Sequence, residues 1–300
     1  MDNLTHSLVG ALIGQAGLKR RTGLAIPALI IGANLPDVDA ACFFWLHGTE
    51  PLAFRRGITH GPPALVLLPL VLAGLLWGWD RWQTARGTRP EARLPVRFDW
   101  LYLLALIGCL THPALDWMNV YGIRLLEPFS SRWFYGDVLF IIDVWLWLGM
   151  GIGLWLSLRR EKRGGDWRRT ARVTLSAVLA YIGFQAFGAW HDENFYSYAP
   201  ITPTKTISSP RPVWGRDLIF WNAQQFAVET RMQDTLPLTT CDLAAARAAD
   251  RQVDAFLFWS RAPVLDRLPD GSFMLGDARY YGVERGQFSV PVPSRFCAGR

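Results

Sequence analysis

Three hundred residues are enough for two domains, and a chain that is 51% hydrophobic and only 19% charged is not an ordinary soluble enzyme. Fifteen tryptophans point the same way, because the indole suits the edge of a bilayer, with one end apolar and the other wet. The net charge of +6 speaks for nucleic acid only if the basic residues form one patch, and Cys42, Cys109, Cys241 and Cys297 form no CxxC or other spaced pair, which removes a zinc-finger reading.

In chain order, the N-terminus carries Asp2, Asn3, Thr5 and His6 and no basic cluster before an apolar run, so delivery to the membrane is expected to rest on internal spans. Residues 4–18 and 23–35 are apolar, Gly/Ala-rich and short, with Lys19, Arg20 and Arg21 between them. They predict a tight helical pair, spanning or re-entrant. Residues 62–79, 138–158 and 173–190 each have the length that crosses hydrocarbon as a helix. Residues 100–118 are a fourth candidate, apolar to Leu110 and then carrying Thr111, His112 and Asp116 at an end that belongs at the interface or in a protein-lined pocket. After Trp190 the long apolar runs stop, and short alternating stretches such as Phe256, Phe258 and Phe273 to Leu275 suggest strands. The expected architecture is mainly α: a polytopic helical membrane bundle over residues 1–190, followed by a soluble domain rich in β structure over residues 191–300.

The basic residues are segregated. Fifteen of them fall in residues 19–21, 81–97 and 159–172, which alternating spans place on one side, while the opposite connections hold only Arg55, Arg56, Arg124 and Arg132. The positive-inside rule makes the first set cytoplasmic and puts the C-terminal domain outside. Topology thus accounts for the basic balance, and nucleic acid is not an expected partner.

Against that topology the unusual polar groups converge. His6, Asp37, Asp39, His60, His112, Asp116, Asp137 and Asp143 all stand at ends of apolar segments on the outer side. In Asn34-Leu-Pro-Asp37-Val-Asp39 the proline ends the preceding helix, and two carboxylates one residue apart can flank a cation from an extended turn or simply be solvated. In Arg55-Arg56-Gly57-Ile58-Thr59-His60-Gly61 the histidine can bind a metal or cap a helix, and Arg56 offers a planar fork to phosphate or carboxylate. In His112-Pro-Ala-Leu-Asp116 the i, i+4 spacing stacks imidazole and carboxylate on one helical face, within reach of one metal or of each other. Asp143, five residues into its span, is expected to face the bundle interior.

The combination THSLVGALIG, ANLPDVD, RRGITHG and HPALDWMNVYGIRLLEPFS, followed by an aspartate-bearing span, resembles the YdjM-like family of membrane-bound metal-dependent hydrolases over roughly residues 1–160. That family's similarity to zinc-dependent phospholipase C implies a hydrolytic metal site. The HxxxD element transfers onto His112 and Asp116, and by the same resemblance His6, Asp37 and His60 are further ligands. No HxxxE pair matches the last ligands of the soluble phospholipases; Asp137 and Asp143 are the carboxylates available in their place, and the count of ions stays open between one and three.

Imidazole with carboxylate suits Zn²⁺, with Mn²⁺ or Mg²⁺ as alternatives. Asp39 or Asp143 is the expected general base, and Arg56 or Arg132 the group that neutralises a phosphate. A site at the outer headgroup level of a bacterial inner membrane implies a lipid or lipid-linked substrate, with phosphoester hydrolysis as first choice and lipid ester or amide hydrolysis as second. A metal-binding transporter is the rival, but spans 62–79 and 173–190 offer almost no polar path, and a non-enzymatic assembly protein with a structural metal is the third reading.

Overall fold

The computed structural model describes residues 1–195, 199–281 and 288–298. The chain forms two compact units, one of residues 1–38 and 56–186, the other of residues 39–55 and 187–300.

Helix α1 (Asn3–Gln15) starts where the Asp2 carboxylate accepts from the N–H groups of Leu4 and Thr5. Helix α2 (Ala25–Asn34) gives way at Leu35 to a 3₁₀ stretch, Leu35–Phe44, because Pro36 lacks the N–H that an α-helical bond needs. Asp37 and Asp39 therefore lie on a tight helical turn and not on the extended turn expected from the sequence. A short helix, α3 (Glu50–Phe54), belongs to the second unit. Helix α4 (Pro62–Ala85) opens with two prolines, whose fixed φ and missing N–H are tolerated in a first turn. Then come α5 (Phe98–Trp117), α6 (Val144–Lys162) and α7 (Trp167–Phe195).

Four helical segments are long and apolar enough to cross a membrane: Ala25–Phe44, Pro62–Ala85, Phe98–Trp117 and Trp167–Phe195. The second of the two short N-terminal segments gains this length by running on through the 3₁₀ stretch. The expected span 138–158 is shortened instead: residues 138–143 are irregular, and α6 begins at Val144 because the Asp143 carboxylate caps it by accepting from the Leu146 N–H at 3.0 Å. Asp143 thus stands at a helix mouth and not inside a span.

Helices α1, α2 and α5 approach closely because glycines face the contacts. A Cβ at Gly10 would lie 2.8 Å from the Leu29 carbonyl oxygen, and one at Gly32 2.6 Å from that of Ala105. Leu29, Leu101, Leu104 and Ala105 fill one side of this contact and Leu12, Leu139, Leu146 and Met150 the other. The outer faces of α4 and α7 expose Val66, Leu67, Val71 and Leu75, and Val173, Leu179 and Phe184, surfaces that suit hydrocarbon. At the far end of α4 the buried Asp80 holds the α4–α5 connection, accepting from Arg89 Nε at 3.1 Å and Arg93 Nη1 at 2.8 Å.

In the second unit, β1 (Lys205–Pro210), β2 (Arg216–Trp221), β3 (Phe226–Val228) and β4 (Arg231–Met232) form an antiparallel sheet in sequence order. Helices α8 (Leu243–Ala249) and α9 (Arg251–Trp259) follow, and β5 (Pro263–Arg267), β6 (Phe273–Asp277) and β7 (Ser289–Val292) form a second antiparallel sheet. Phe273 to Leu275 is strand as expected, but Phe256 and Phe258 are helical. The spacing of the buried Val253, Phe256 and Trp259 is three residues, and Asp250 caps the helix at Gln252 N–H. Cys241 and Cys297 form a disulfide, while Cys42 and Cys109 are free and buried.

Candidate metal centre

Four elements of the first unit bring polar side chains to one place. Helix α1 carries His6 in its first turns, the start of the 3₁₀ stretch after α2 carries Asp37, a short 3₁₀ turn (Ile58–His60) before α4 carries His60, and α5 carries His112 and Asp116 one turn apart. Gly61 lets the chain turn out of His60 against the Glu127 carbonyl, where any side chain would collide. One ligand atom from each of Asp37, His60, His112 and Asp116 lies within 4.8 Å of every other.

Asp116 is the hub and is fully buried. Its Oδ2 lies 3.4 Å from His112 Nε2, 3.6 Å from His60 Nε2 and 3.0 Å from Arg56 Nε. Its Oδ1 lies 3.5 Å from His6 Nε2 and accepts from the Met1 amino group. Burial pushes that amino group down to about 6, against the pull of the Asp116 carboxylate. The His6 ring stacks on His112 with centroids 3.8 Å apart, and His60 is tilted to His112 at 5.1 Å. Asp37 Oδ1 closes the group, 3.7 Å from His112 Nε2.

Tautomer and orientation are set by the partners behind the rings. His112 Nδ1 lies 2.7 Å from the Ala33 carbonyl oxygen; a carbonyl only accepts, so Nδ1 carries a proton and Nε2 is the nitrogen turned to the cluster. Among the described residues, His112 Nε2 and both ring nitrogens of His6 are buried without a hydrogen bond. Leaving such groups unsatisfied costs about 1–3 kcal/mol each, and a cation removes that cost. Two imidazoles and two carboxylates held this close therefore fit a divalent cation.

Of the other residues singled out in the sequence, Arg56 is buried and committed: besides Asp116 it donates Nη1 to Asn119 Oδ1 at 3.0 Å and to the Gly122 carbonyl at 3.3 Å, and it lies over the Tyr121 ring. Arg132 is exposed beside Phe134. Asp143 is not in the group of four; besides its capping bond it accepts from the Tyr181 hydroxyl at 2.9 Å. Asp39 falls in the second unit, where its Oδ1 accepts from Arg55 Nε at 3.4 Å. Asp137, also outside the four, is buried with a left-handed φ of 53°. The sequence reading missed Asn119, the Ala33 carbonyl and the Met1 amino group. Asn119 had a signal, an amide three residues past Asp116 at the end of an apolar helix; a backbone carbonyl such as that of Ala33 has none.

The fold and this centre define a polytopic helical membrane protein with a buried histidine–aspartate cluster able to hold a metal ion, followed by an antiparallel β region. The chain belongs to the YdjM inner membrane protein family, which matches residues 1–191 and so covers every residue of the cluster. It is similar to the uncharacterized protein YfhP of Bacillus subtilis (strain 168), 27% identical over 141 residues, which are 44% of this chain and 39% of that protein. The chain therefore aligns with about two fifths of the relative's length. No solved structure matches it.

Proposed function

We propose that this protein is a membrane-bound, metal-dependent hydrolase that acts at the outer membrane–water interface on a phosphoester of a lipid or lipid-linked substrate. The observation that carries the reading is the convergence of Asp37, His60, His112 and Asp116 on one buried point from separate elements. The pairing of imidazole with carboxylate donors suits zinc, with manganese or magnesium as the alternatives for a site half made of carboxylates. A bound ion of this kind supplies Lewis acidity toward a phosphoryl oxygen and acidifies water at neutral pH.

The chain's own residues divide the remaining work. Asp37, His60, His112 and Asp116 hold the ion, with the Ala33 carbonyl keeping His112 in the ligating tautomer. Asp116 presents Oδ2 to this set and Oδ1 to His6, so His6 extends the donor set beyond a single ion. Arg56 orients Asp116. Arg132, exposed and without an acidic partner among the described residues, is the guanidinium available to an anionic headgroup. Outward orientation is supported by the fifteen basic residues on the other side and by the Cys241–Cys297 disulfide, which belongs in an oxidising compartment.

Metal analysis of the purified protein, paired with turnover of a bacterial lipid extract followed by mass spectrometry, tests this reading. Wild type is expected to carry a divalent metal and to release a phosphorylated headgroup or phosphate. His112→Ala and Asp116→Ala are each expected to lose metal and turnover together. Metal retained at wild-type level in both variants overturns the site; metal lost with no turnover of any lipid in wild type overturns the hydrolase.

A further inference from the structure

A second cluster of charge lies away from the metal centre, at the C-terminal end of α1. There the chain turns through Gly17, at a φ of 134°, into the 3₁₀ turn Leu18–Arg20, and this turn meets the beginning of α7. Between them is a cavity of about 290 Å³ walled by Arg20, Arg21, Arg168 and Arg172 with the backbone stretch 16–18. Gly17 lies beside the two α7 arginines, a Cβ there standing at ordinary contact distance, 3.7 Å, from both Arg168 Cδ and Arg172 Nη2. Arg172 Nε donates to the Ala16 carbonyl at 3.0 Å, which fixes the wall. A wider cavity shares Arg168 and Arg172 and adds Arg169 and Asp166.

Four arginines line the smaller cavity and no carboxylate does, so its wall favours an anion. Among the described residues, Arg20, Arg21, Arg168 and Arg172 make no ion pair. Glu161 is taken by Lys19 Nζ at 2.5 Å and Gln15 Nε2 at 3.4 Å, and Asp166 Oδ1 accepts from the Arg169 N–H. The depth of the pocket is marked by Trp167 in the first turn of the membrane-crossing α7, with Lys19 Nζ 4.4 Å and the Arg168 guanidinium 5.3 Å from its ring. Tryptophan and basic side chains together at a helix end belong at the headgroup level. Val173, exposed in the next turn, continues the same surface into the apolar zone.

We propose that this pocket binds the phosphate of an anionic phospholipid in the leaflet on the basic, cytoplasmic side of the membrane. Forked guanidinium donors match phosphate oxygens, and the neighbouring apolar face of α7 accommodates the acyl chains of a lipid but offers nothing to a free phosphate. This site is independent of the hydrolase reading.

The test uses the full chain in nanodiscs of phosphatidylcholine with or without phosphatidylglycerol, followed by native mass spectrometry of the lipids retained on partial delipidation. Wild type is expected to keep phosphatidylglycerol in preference to phosphatidylcholine. Arg20→Gln/Arg168→Gln is expected to lower that preference about tenfold, since each basic residue at a membrane surface contributes appreciably to anionic lipid affinity. Arg159→Gln/Arg163→Gln, which removes two arginines at the C-terminal end of α6 outside the pocket, is expected to retain it. Should the first variant fail to fold, Arg20→Gln/Arg21→Gln carries the same expectation from the opposite wall. Equal retention of both lipids by wild type, or equal loss in the control variant, overturns the pocket. Displacement of the lipid by millimolar inorganic phosphate makes it a soluble-phosphate site and overturns the lipid assignment.

Discussion

Asp116 shows how much one side chain can organise. Its two oxygens face different partners, Oδ1 toward His6 and the Met1 amino group, Oδ2 toward His60, His112 and Arg56. Arg56 reaches it from a backbone with a φ of 56°, a conformation unusual for a side chain of this size, and spends its fork on Asp116 and Asn119. The sequence suggested that Arg56 serves an anionic substrate. The geometry predicts otherwise. Arg56→Ala is expected to lower metal affinity about 10–100-fold, the usual effect of removing the partner that orients a ligand, measured by competition with a chelator. Arg56→Lys restores little of this, because one ammonium cannot bridge both partners. Unchanged metal affinity with reduced turnover would return Arg56 to the substrate.

Among the elements, the α2–α5 contact connects packing to the centre. A Cβ at Gly108 would stand 2.5 Å from the Leu29 carbonyl oxygen and 2.9 Å from the Ala33 nitrogen, and it is the Ala33 carbonyl that holds His112. Gly108→Ala is therefore expected to destabilise the helix pair by about 1–3 kcal/mol and to weaken metal binding with it. Thermal unfolding in detergent, with and without added metal, reads both effects. In the β region the buried Asp277 accepts from Arg279 Nε and Nη2, both at 2.7 Å, and from Ser260 Oγ at 2.6 Å. Burial raises its pKa, but the Arg279 charge and the hydrogen bonds outweigh it and hold the carboxyl below its usual value. The stabilisation is thus present above the unfolded pKa of about 3.9 and is lost as pH falls below it toward the folded value. Asp277→Asn should cost about 3–5 kcal/mol near neutrality by stranding Arg279, seen as faster hydrogen exchange in β6, and the difference from wild type should shrink in acid. A difference that is independent of pH would assign the cost to packing.

At the scale of the whole molecule, the arrangement across the membrane is the expectation most open to a direct test. Reporter fusions at residue 90 and at residue 250 should report opposite compartments, the first cytoplasmic, from the segregation of fifteen basic residues. The same compartment for both sinks the outward orientation of the cluster, and the disulfide between Cys241 and Cys297 loses its rationale with it. What could be read directly from the chain were properties that solvent imposes locally. Hydrocarbon demands long apolar runs, so most membrane segments were legible, and the i, i+4 spacing of His112 and Asp116 defines one helical face without further information. The start of α6 was misplaced because the apolar residues 138–142 resemble a span, whereas a capping carboxylate decides where the helix begins. The membership of residues 39–55 in the second unit had no sequence signal either. That His6, Asp37 and His60 meet Asp116, the first of them across more than a hundred positions, was suggested by shared ends of apolar segments, but only packing brings the atoms within reach. The reason is that the distances between these residues depend on how closely the helices approach, and that is set by Gly10, Gly32 and Gly108 against backbone far away in sequence. Periodicity and composition report what each residue meets as solvent; which residue it meets as neighbour, such as Arg56 on Asp116 or Ala33 behind His112, is decided by the tertiary structure alone.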